Sequence, residues 1–249
     1  MNLTNIIAKR PNKTVYRDGA HSIKVFHEAY SVSDVMVEAM NLAIVSETGF
    51  RVPQLHEVCK TDGLWAIVMD YIEGETLADL IAKDPANEEA YLTRLVDIQR
   101  QMHGYHTPRL RHHTDKMHNK ITHCGLDATT RYELHTRLDG LPKHNKLLHG
   151  DLNPSNVVIM PDGEACVLDW VHATQGNGGA DAARTYMLFC LAGEQERAER
   201  YLKLFCKRSD TARQYIQKWL AITAASQLVK KRPEEQELLM AWANVAEYQ

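Results

Sequence analysis

The sequence has few cysteines, and those present are not paired. Cys59, Cys124, Cys166, Cys190 and Cys206 are odd in number and scattered over 249 residues, and no two of them form a C-x-x-C pair. Disulfide frameworks and zinc knuckles both depend on regular cysteine spacing. The pattern therefore argues against both, and free thiols in a reducing compartment are the simplest interpretation.

Long apolar runs and a strong charge bias are missing as well. Residues 1–10 lack the apolar core of a signal peptide, and no later stretch approaches the roughly 18 apolar residues of a membrane span. The formal net charge of −3 gives no overall basic field for a nucleic acid. We therefore expect a soluble, cytoplasmic protein without a nucleic-acid or membrane partner, whose function resides in a local site.

The first part of the chain has the pattern of a small sheet. Short β-favouring runs alternate with turn residues, and one amphipathic stretch interrupts them. The predicted strands are Leu3–Ala8, Thr14–Arg17, Ser22–Phe26, Leu55–Cys59 and Leu64–Ile72. Ser33-Asp34 resembles a helix N-cap before the apolar positions of Val35–Val45. The sequence thus predicts a five-stranded sheet with one helix.

The remainder is mostly helical in pattern. Apolar residues recur at helical spacing in six segments: Leu77–Ile81, Glu88–His103, Ala182–Leu191, Gln195–Cys206, Ala212–Val229 and Glu234–Tyr248. The exception is a predicted hairpin, in which Val157–Met160 and Ala165–Leu168 flank the turn Pro161-Asp162-Gly163.

The strongest chemical signal surrounds this hairpin. The run His149-Gly150-Asp151-Leu152-Asn153-Pro154-Ser155-Asn156 precedes it, and Asp169 follows it, with the spacing of a kinase catalytic loop. Phosphoryl transfer needs an acceptor hydroxyl held in line and metal ions that neutralise phosphate charge. Asp151 is the candidate base. Asn156 and Asp169 supply hard oxygen ligands for Mg²⁺, although either residue type alone is common in turns.

Together these residues resemble the signature of the aminoglycoside phosphotransferase and choline kinase-like family. The resemblance implies an α+β, bilobal, protein-kinase-like fold that binds ATP and Mg²⁺ between its lobes and phosphorylates a small-molecule hydroxyl. It places an N-terminal nucleotide-binding lobe at 1–69, a hinge at 70–74, and a catalytic and acceptor-binding lobe at 75–249. Acceptor, oligomeric state and preference for ATP over GTP stay open.

Protein kinases are more distant relatives. They usually carry Arg at the position of Gly150, Lys at that of Asn153, and Phe-Gly at that of Trp170-Val171. Each departure favours a small acceptor over a protein. The alternatives are a protein kinase and a catalytically weak, nucleotide-binding regulatory protein; the three intact residues Asp151, Asn156 and Asp169 argue against the regulatory protein.

In the N-terminal part, the resemblance assigns the phosphate lysine to Lys24 on the third strand. A lysine on an alternating strand also often faces solvent. Glu38 is the best candidate to hold Lys24 in place, with Glu28 and Glu47 as competitors. No G-x-G-x-x-G occurs between the first two strands, and Lys13, in the turn that replaces it, receives no assigned role.

Two further positions rest on alignment with the family. In the hinge, the Asp70 carbonyl and the Ile72 amide are expected to contact the adenine edge. Asp181 matches an aspartate that supports the catalytic loop, although an ordinary N-cap explains it equally well.

Residues 103–149 are rich in histidine and locally basic. Their histidines fit no standard zinc spacing, so a surface insertion with biased composition is the simpler interpretation, and the stretch is also a candidate acceptor region. Eight lysines and arginines outnumber four acidic residues there. Such a field repels polycations, which argues against aminoglycosides as the main acceptor. A choline-like acceptor remains an alternative through Tyr215, Trp219 or Trp242.

Overall fold

The structure is a computed structural model that describes residues 1–244. Its strands are β1 (Ile6–Arg10), β2 (Lys13–Asp18), β3 (His21–Phe26), β4 (Leu55–Thr61), β5 (Leu64–Asp70), β6 (Glu75–Thr76), β7 (Lys146–Leu148), β8 (Val157–Ile159), β9 (Ala165–Val167) and β10 (Thr174–Gly176). Its helices are α1 (Val32–Ser46), α2 (Leu77–Lys83), α3 (Glu88–Met102), α4 (His113–Thr122), α5 (Ala128–Gly140), α6 (Gly178–Leu191), α7 (Gln195–Ser209), α8 (Arg213–Leu228) and α9 (Pro233–Ala243). The predicted last helix Glu234–Tyr248 begins one residue earlier, and positions 245–248 lie outside the described residues.

The chain forms two compact units. The first comprises residues 1–83 and 154–172, and the second comprises 84–153 and 173–244. The predicted lobes at 1–69 and 75–249 follow expected function and stay a prediction. The compact units differ from these predicted lobes in where they divide the chain. The β8–β9 hairpin pairs with β6, which lies within residues 1–83, and therefore belongs to the first unit.

The first unit contains the predicted five-stranded sheet, which is confirmed. Its strand order is β1-β2-β3-β5-β4, and every neighbouring pair is antiparallel. The Asp18-Gly19 turn, with Gly19 at a φ of 58°, sets the register of β2 and β3. Val15 lies opposite Lys24 and Lys13 opposite Phe26. Because side chains alternate along a strand, these four residues share one face of the sheet.

Helix α1 covers part of that face. Its N-cap is Ser31, whose side-chain oxygen accepts a hydrogen bond from the Asp34 amide, so the predicted cap at Ser33-Asp34 is wrong by two residues. Residues Val35 and Ala39 pack with Phe26 and Ile67 in a buried apolar cluster. This packing fixes which residues of α1 point towards the sheet.

The predicted hairpin is also confirmed, as β8 and β9 with Val157 opposite Val167. It forms a three-stranded sheet with β6, which the sequence did not reveal because it is only two residues long. Gly74 precedes β6 at a φ of 147°, and a Cβ there would lie 2.2 Å from the Ile159 carbonyl oxygen. Glycine is therefore required at this close approach.

The second unit is helical around a two-stranded sheet of β7 and β10. Within it, α3 packs on α7, and α6 packs on both α7 and α8. The histidine-rich stretch contributes α4 and α5, whose residues Met117, Ile121, Leu134 and Leu138 are buried. This stretch is thus part of the folded core, not a surface insertion. In residues 1–244, no helix is long and apolar enough to cross a membrane.

Candidate active site

In the first unit, the strand face described above carries a buried ion pair. Lys24 is 7% exposed and its Nζ donates to Glu38 of α1, which is 3% exposed. Glu38 lies one turn from Val35 on the buried side of the helix, whereas no such position is available to Glu28, which precedes α1. The structure therefore brings together the two residues that the sequence paired, Lys24 and Glu38.

Asp169 joins this pair. Its Oδ1 lies 3.3 Å from Lys24 Nζ, and its backbone is left-handed with a φ of 62°, a conformation that aspartate tolerates better than most residues. Burial alone lowers the pKa of Lys24, but the nearby carboxylates of Asp169 and Glu38 outweigh it and raise the pKa. Lys24 is therefore a permanent cation at this position.

Lys13 is a member of the cluster that sequence reasoning left unassigned. Its Nζ lies 3.3 Å from Asp169 Oδ2 and 3.8 Å from Glu38 Oε2. Burial and the charge of Lys24 lower its pKa. The Asp18-Gly19 hairpin register puts Lys13 on the same face as Lys24, which is the only part of its position that the sequence could indicate. Two lysines and two carboxylates thus lie within one cluster.

The two proposed metal ligands are neighbours at one end of the β8–β9 hairpin. The Leu168 amide donates a 2.8 Å hydrogen bond to the Asn156 carbonyl, which places Asn156 beside the segment that leads into Asp169. Both side chains are partly exposed. Among residues 1–244, no group of three His, Cys, Asp or Glu side chains is arranged to hold a metal. One carboxylate and one amide suit Mg²⁺, which keeps water and phosphate oxygens as its other ligands.

The predicted hinge residues lie at the end of β5. The Asp70 carboxylate accepts from the Gln54 amide at 3.0 Å and lies 2.6 Å from His56 Nε2. Its side chain thus fixes the local backbone. Ile72 follows the strand, and adenine contact by Asp70 and Ile72 stays a prediction.

The second unit carries Asp151. Its Oδ1 accepts a hydrogen bond from Arg184 Nη2 at 3.0 Å, and Arg184 Nε donates to the Gly150 carbonyl at 3.2 Å. Arg184 Nη1 is held in turn by Gln227 Oε1 at 2.8 Å. The Asp151 side chain is 30% exposed, so one oxygen is oriented by Arg184 while the group stays accessible. Sequence reasoning missed Arg184, because its role depends on how α6 packs against the loop.

Asp181 supports the same loop through its backbone. Its Oδ1 accepts from the Gly150 amide at 2.7 Å, and its Oδ2 accepts from His103 Nε2 at 3.1 Å and from Gln99 Nε2 at 3.1 Å. The N-cap of α6 is Asn177, so of the two interpretations of Asp181 the N-cap is wrong. Burial opposes ionisation, but the hydrogen bond and charge of His103 together with the Gly150 amide lower the pKa of Asp181 to about 2.

We expect Asp181→Ala to lower the free energy of unfolding by about 3 kcal/mol, because it leaves buried donors without their acceptor. The folded-state pKa lies below the reference value of 3.8, so the contribution of this carboxylate is complete above pH 3.8 and is lost as the pH falls towards about 2. Urea unfolding at pH 7 and pH 3 measures both effects. Equal stability of variant and wild type at pH 7 would contradict this account.

Comparison with known proteins places this chain in a family. Residues 6–219 match the phosphotransferase enzyme family, APH. The chain belongs to this family. A search of curated proteins found no significant match.

Solved structures of the family share the fold. A thermostable mutant of the aminoglycoside phosphotransferase APH(4)-Ia, in its apo form, is 13% identical with a TM-score of 0.71, covering 96% of this chain and 92% of its own. Another mutant of that enzyme, in a ternary complex with AMP-PNP and hygromycin B, is 14% identical with a TM-score of 0.69, covering 96% and 89%. The choline kinase LicA from Streptococcus pneumoniae is 15% identical with a TM-score of 0.64, covering 98% and 95%. At these identities the likeness shows the kinase-like fold that the sequence predicted.

Proposed function

We propose that this phosphotransferase moves the γ-phosphoryl group of ATP to a hydroxyl of a small molecule, with Mg²⁺ as cofactor. The observation that carries the proposal is the cluster in which Lys24 lies between Glu38 of α1 and Asp169, which follows the β8–β9 hairpin. A lysine fixed by a helix glutamate beside a metal-binding aspartate is the arrangement that phosphoryl transfer by kinase-like folds requires. The AMP-PNP and hygromycin B bound by the APH(4)-Ia mutant support a nucleotide donor and a small acceptor.

In this mechanism Lys24 binds phosphate oxygens and Glu38 keeps its ammonium group in position. Lys13, next to Asp169, adds a second positive charge for the phosphates. Asn156 and Asp169 would hold Mg²⁺, which would neutralise charge on the phosphates. The backbone of Asp70 and Ile72 contacts the adenine.

Asp151 acts on the acceptor. Its carboxylate accepts or orients the proton of the attacking hydroxyl. Arg184 binds and orients Oδ1, and the Asp151 side chain is 30% exposed and therefore accessible to the substrate. Arg184 is a positioning residue, since its other bonds to the Gly150 carbonyl and Gln227 tie it to the loop and to α8. Asp181 holds the amide of Gly150 and fixes the loop backbone.

The test is nucleotide turnover over a library of hydroxyl-bearing metabolites, with and without Mg²⁺. We expect at least one acceptor to be phosphorylated, with the product identified by mass spectrometry and with loss of activity in excess EDTA. Tight ATP binding without phosphorylation of any acceptor would support the regulatory alternative.

We also expect aminoglycosides to be poor acceptors, because eight lysines and arginines outnumber four acidic residues in the candidate acceptor region 103–149. The measurement is kcat/KM for kanamycin-type aminoglycosides, choline, and neutral sugars or nucleosides under identical conditions. Kanamycin should give the lowest value. A clear preference for kanamycin would show that individual carboxylates outweigh the local net charge.

A further inference from the structure

The turn between β1 and β2 has an unusual backbone for a two-residue hairpin. Arg10 lies opposite Lys13, so only Pro11 and Asn12 form the turn, and neither of them has a positive φ. Two-residue hairpins usually use turns with a positive φ at the first central residue or at both, because that backbone matches the twist of the strands. A turn with negative φ at both positions splays the strands instead. Contacts from outside the hairpin therefore matter for its conformation.

His27 makes such contacts. It follows Phe26 at the end of β3, and its backbone amide donates a 2.9 Å hydrogen bond to the Asn12 carbonyl. Its Nδ1 lies 3.0 Å from the Pro11 carbonyl oxygen, and its Nε2 lies 3.2 Å from Thr14 Oγ1. One residue thus binds the carbonyls of both turn residues and a side chain of β2.

The chemistry of the Pro11 carbonyl decides the tautomer of this histidine. A carbonyl oxygen can only accept a hydrogen bond, so Nδ1 of His27 carries a proton and donates it to Pro11. In the neutral ring, Nε2 is then the acceptor for the Thr14 hydroxyl. Both ring nitrogens therefore have partners in the β1–β2 hairpin, and the ring cannot turn away without breaking both hydrogen bonds.

The backbone of His27 is held from the other side as well. Its carbonyl accepts a 2.9 Å hydrogen bond from the Tyr30 amide, and α1 begins shortly afterwards at Val32. The same helix carries Glu38, the partner of Lys24. The residue that supports the turn therefore belongs to the connection between β3 and the helix that fixes Lys24.

His27 orients the peptide group between Pro11 and Asn12. Residues 1–244 contain no cis peptide bond, and in a trans peptide the carbonyl and the amide hydrogen point in opposite directions. Because His27 holds the Pro11 carbonyl, the Asn12 amide points away from His27. None of residues 1–244 accepts a hydrogen bond from that amide. Lys13, the next residue, places its Nζ 3.3 Å from Asp169 Oδ2.

We propose that His27 is a positioning residue for the nucleotide phosphates, which holds the β1–β2 turn so that the Asn12 amide and the Lys13 ammonium group bind phosphate oxygens. This inference rests on the proposed function and adds to it a residue outside the catalytic loop. Backbone amides and lysine ammonium groups are both common donors to phosphate. Pro11 has no amide hydrogen, so Asn12 supplies the first backbone donor of the turn.

The first experiment separates binding of the phosphates from binding of adenosine. Calorimetric titration measures the affinity for AMP-PNP with Mg²⁺, and competition against AMP-PNP measures the affinity for adenosine, which has no phosphates. His27→Ala should weaken AMP-PNP binding by about tenfold, because the turn loses its orientation, and should leave adenosine binding unchanged. Equal weakening of both ligands would indicate a general structural role and would overturn the proposal, as would an unchanged affinity for AMP-PNP.

A second set of variants tests which hydrogen bond holds the turn. In His27→Asn, the side-chain amide nitrogen can take the place of Nδ1 and donate to the Pro11 carbonyl, so the AMP-PNP affinity should stay within about threefold of wild type. Thr14→Val removes the hydroxyl but keeps the contact with Pro11, and its affinity should also stay within about threefold. If His27→Asn binds AMP-PNP as weakly as His27→Ala, the bond to Pro11 does not hold the turn and the proposal is wrong.

The matched control is Glu28→Ala, an exposed change at the next residue of the chain. Its affinities for AMP-PNP and adenosine should equal those of wild type. A loss of AMP-PNP affinity in Glu28→Ala as large as that in His27→Ala would show that any change in this segment disturbs the nucleotide, and would refute a specific role for His27.

The inference and the proposed function fail separately. Phosphorylation of an acceptor by the wild type, together with wild-type AMP-PNP affinity in His27→Ala, would leave the proposed function intact and refute the role of His27. A selective loss of AMP-PNP affinity in His27→Ala, without phosphorylation of any acceptor by the wild type, would support the role of His27 and refute phosphoryl transfer.

Discussion

The Asp151→Asn variant is expected to bind ATP as the wild type does while its turnover falls by at least about 100-fold. The change removes the negative charge that accepts the hydroxyl proton but keeps the shape of the side chain. The amide oxygen of the asparagine can still accept a hydrogen bond from Arg184, so the loop should keep its position. The variant should therefore have a lower kcat and an unchanged affinity for the nucleotide.

Turnover on any accepted substrate and AMP-PNP affinity by calorimetry measure the two parts of this prediction. Asp139→Asn is the matched control, since its carboxylate is 61% exposed and pairs with His118, which is not a residue of the catalytic loop. Its activity should equal that of wild type. Near-wild-type phosphoryl transfer by Asp151→Asn would remove Asp151 as the base.

A second variant separates the base from the residue that positions it. Arg184→Lys keeps the positive charge but loses the planar fork that contacts Asp151, the Gly150 carbonyl and Gln227 together. If Arg184 orients Asp151, this variant lowers kcat with little change in KM for ATP. A purely structural role would instead appear as lost stability with a normal kcat for the folded fraction.

Much of the first unit could be predicted because its signals are local. The Asp18-Gly19 turn fixes a hairpin register, and that register decides which strand residues share a face with Lys24. The same register also placed Lys13 there, but no local pattern distinguishes a phosphate-binding lysine from a solvated one. Only the contact with Asp169, which is 156 residues away, makes the difference visible.

The second unit was harder because its important contacts are distant in sequence. Arg184 of α6 forms a hydrogen bond with Asp151 of the catalytic loop, and Asp181 forms hydrogen bonds with both Gly150 and His103. The two helices of the histidine-rich stretch were not predicted, because the few apolar residues that anchor them are outnumbered by polar ones. Catalytic motifs are short and contiguous, whereas the residues that orient them depend on packing.

Asp169 has two possible roles, and a variant can distinguish them. Its carboxylate touches Lys13 and Lys24 and is also the proposed Mg²⁺ ligand, so two different losses could follow from Asp169→Ala. If it served only to hold the lysines, its removal would leave extra positive charge and would not weaken binding of metal-free ATP. If it binds Mg²⁺, its removal abolishes the increase in ATP affinity that Mg²⁺ provides.

We therefore expect Asp169→Ala to reduce the Mg²⁺-dependent gain in ATP affinity by at least about tenfold, and turnover by at least about 100-fold. Calorimetric titration of ATP with and without Mg²⁺ measures that gain directly. Asp162→Ala is the matched control, because it removes an aspartate from the exposed turn of the same hairpin, where the side chain pairs with Arg51. In this control, the Mg²⁺-dependent gain in ATP affinity should be unchanged. The variants His112→Ala and His118→Ala should leave the metal content of the purified protein unchanged. An undiminished gain in Asp169→Ala would mean that the metal is held elsewhere, and stoichiometric zinc lost with the histidine changes would identify a second metal site in the stretch 103–149.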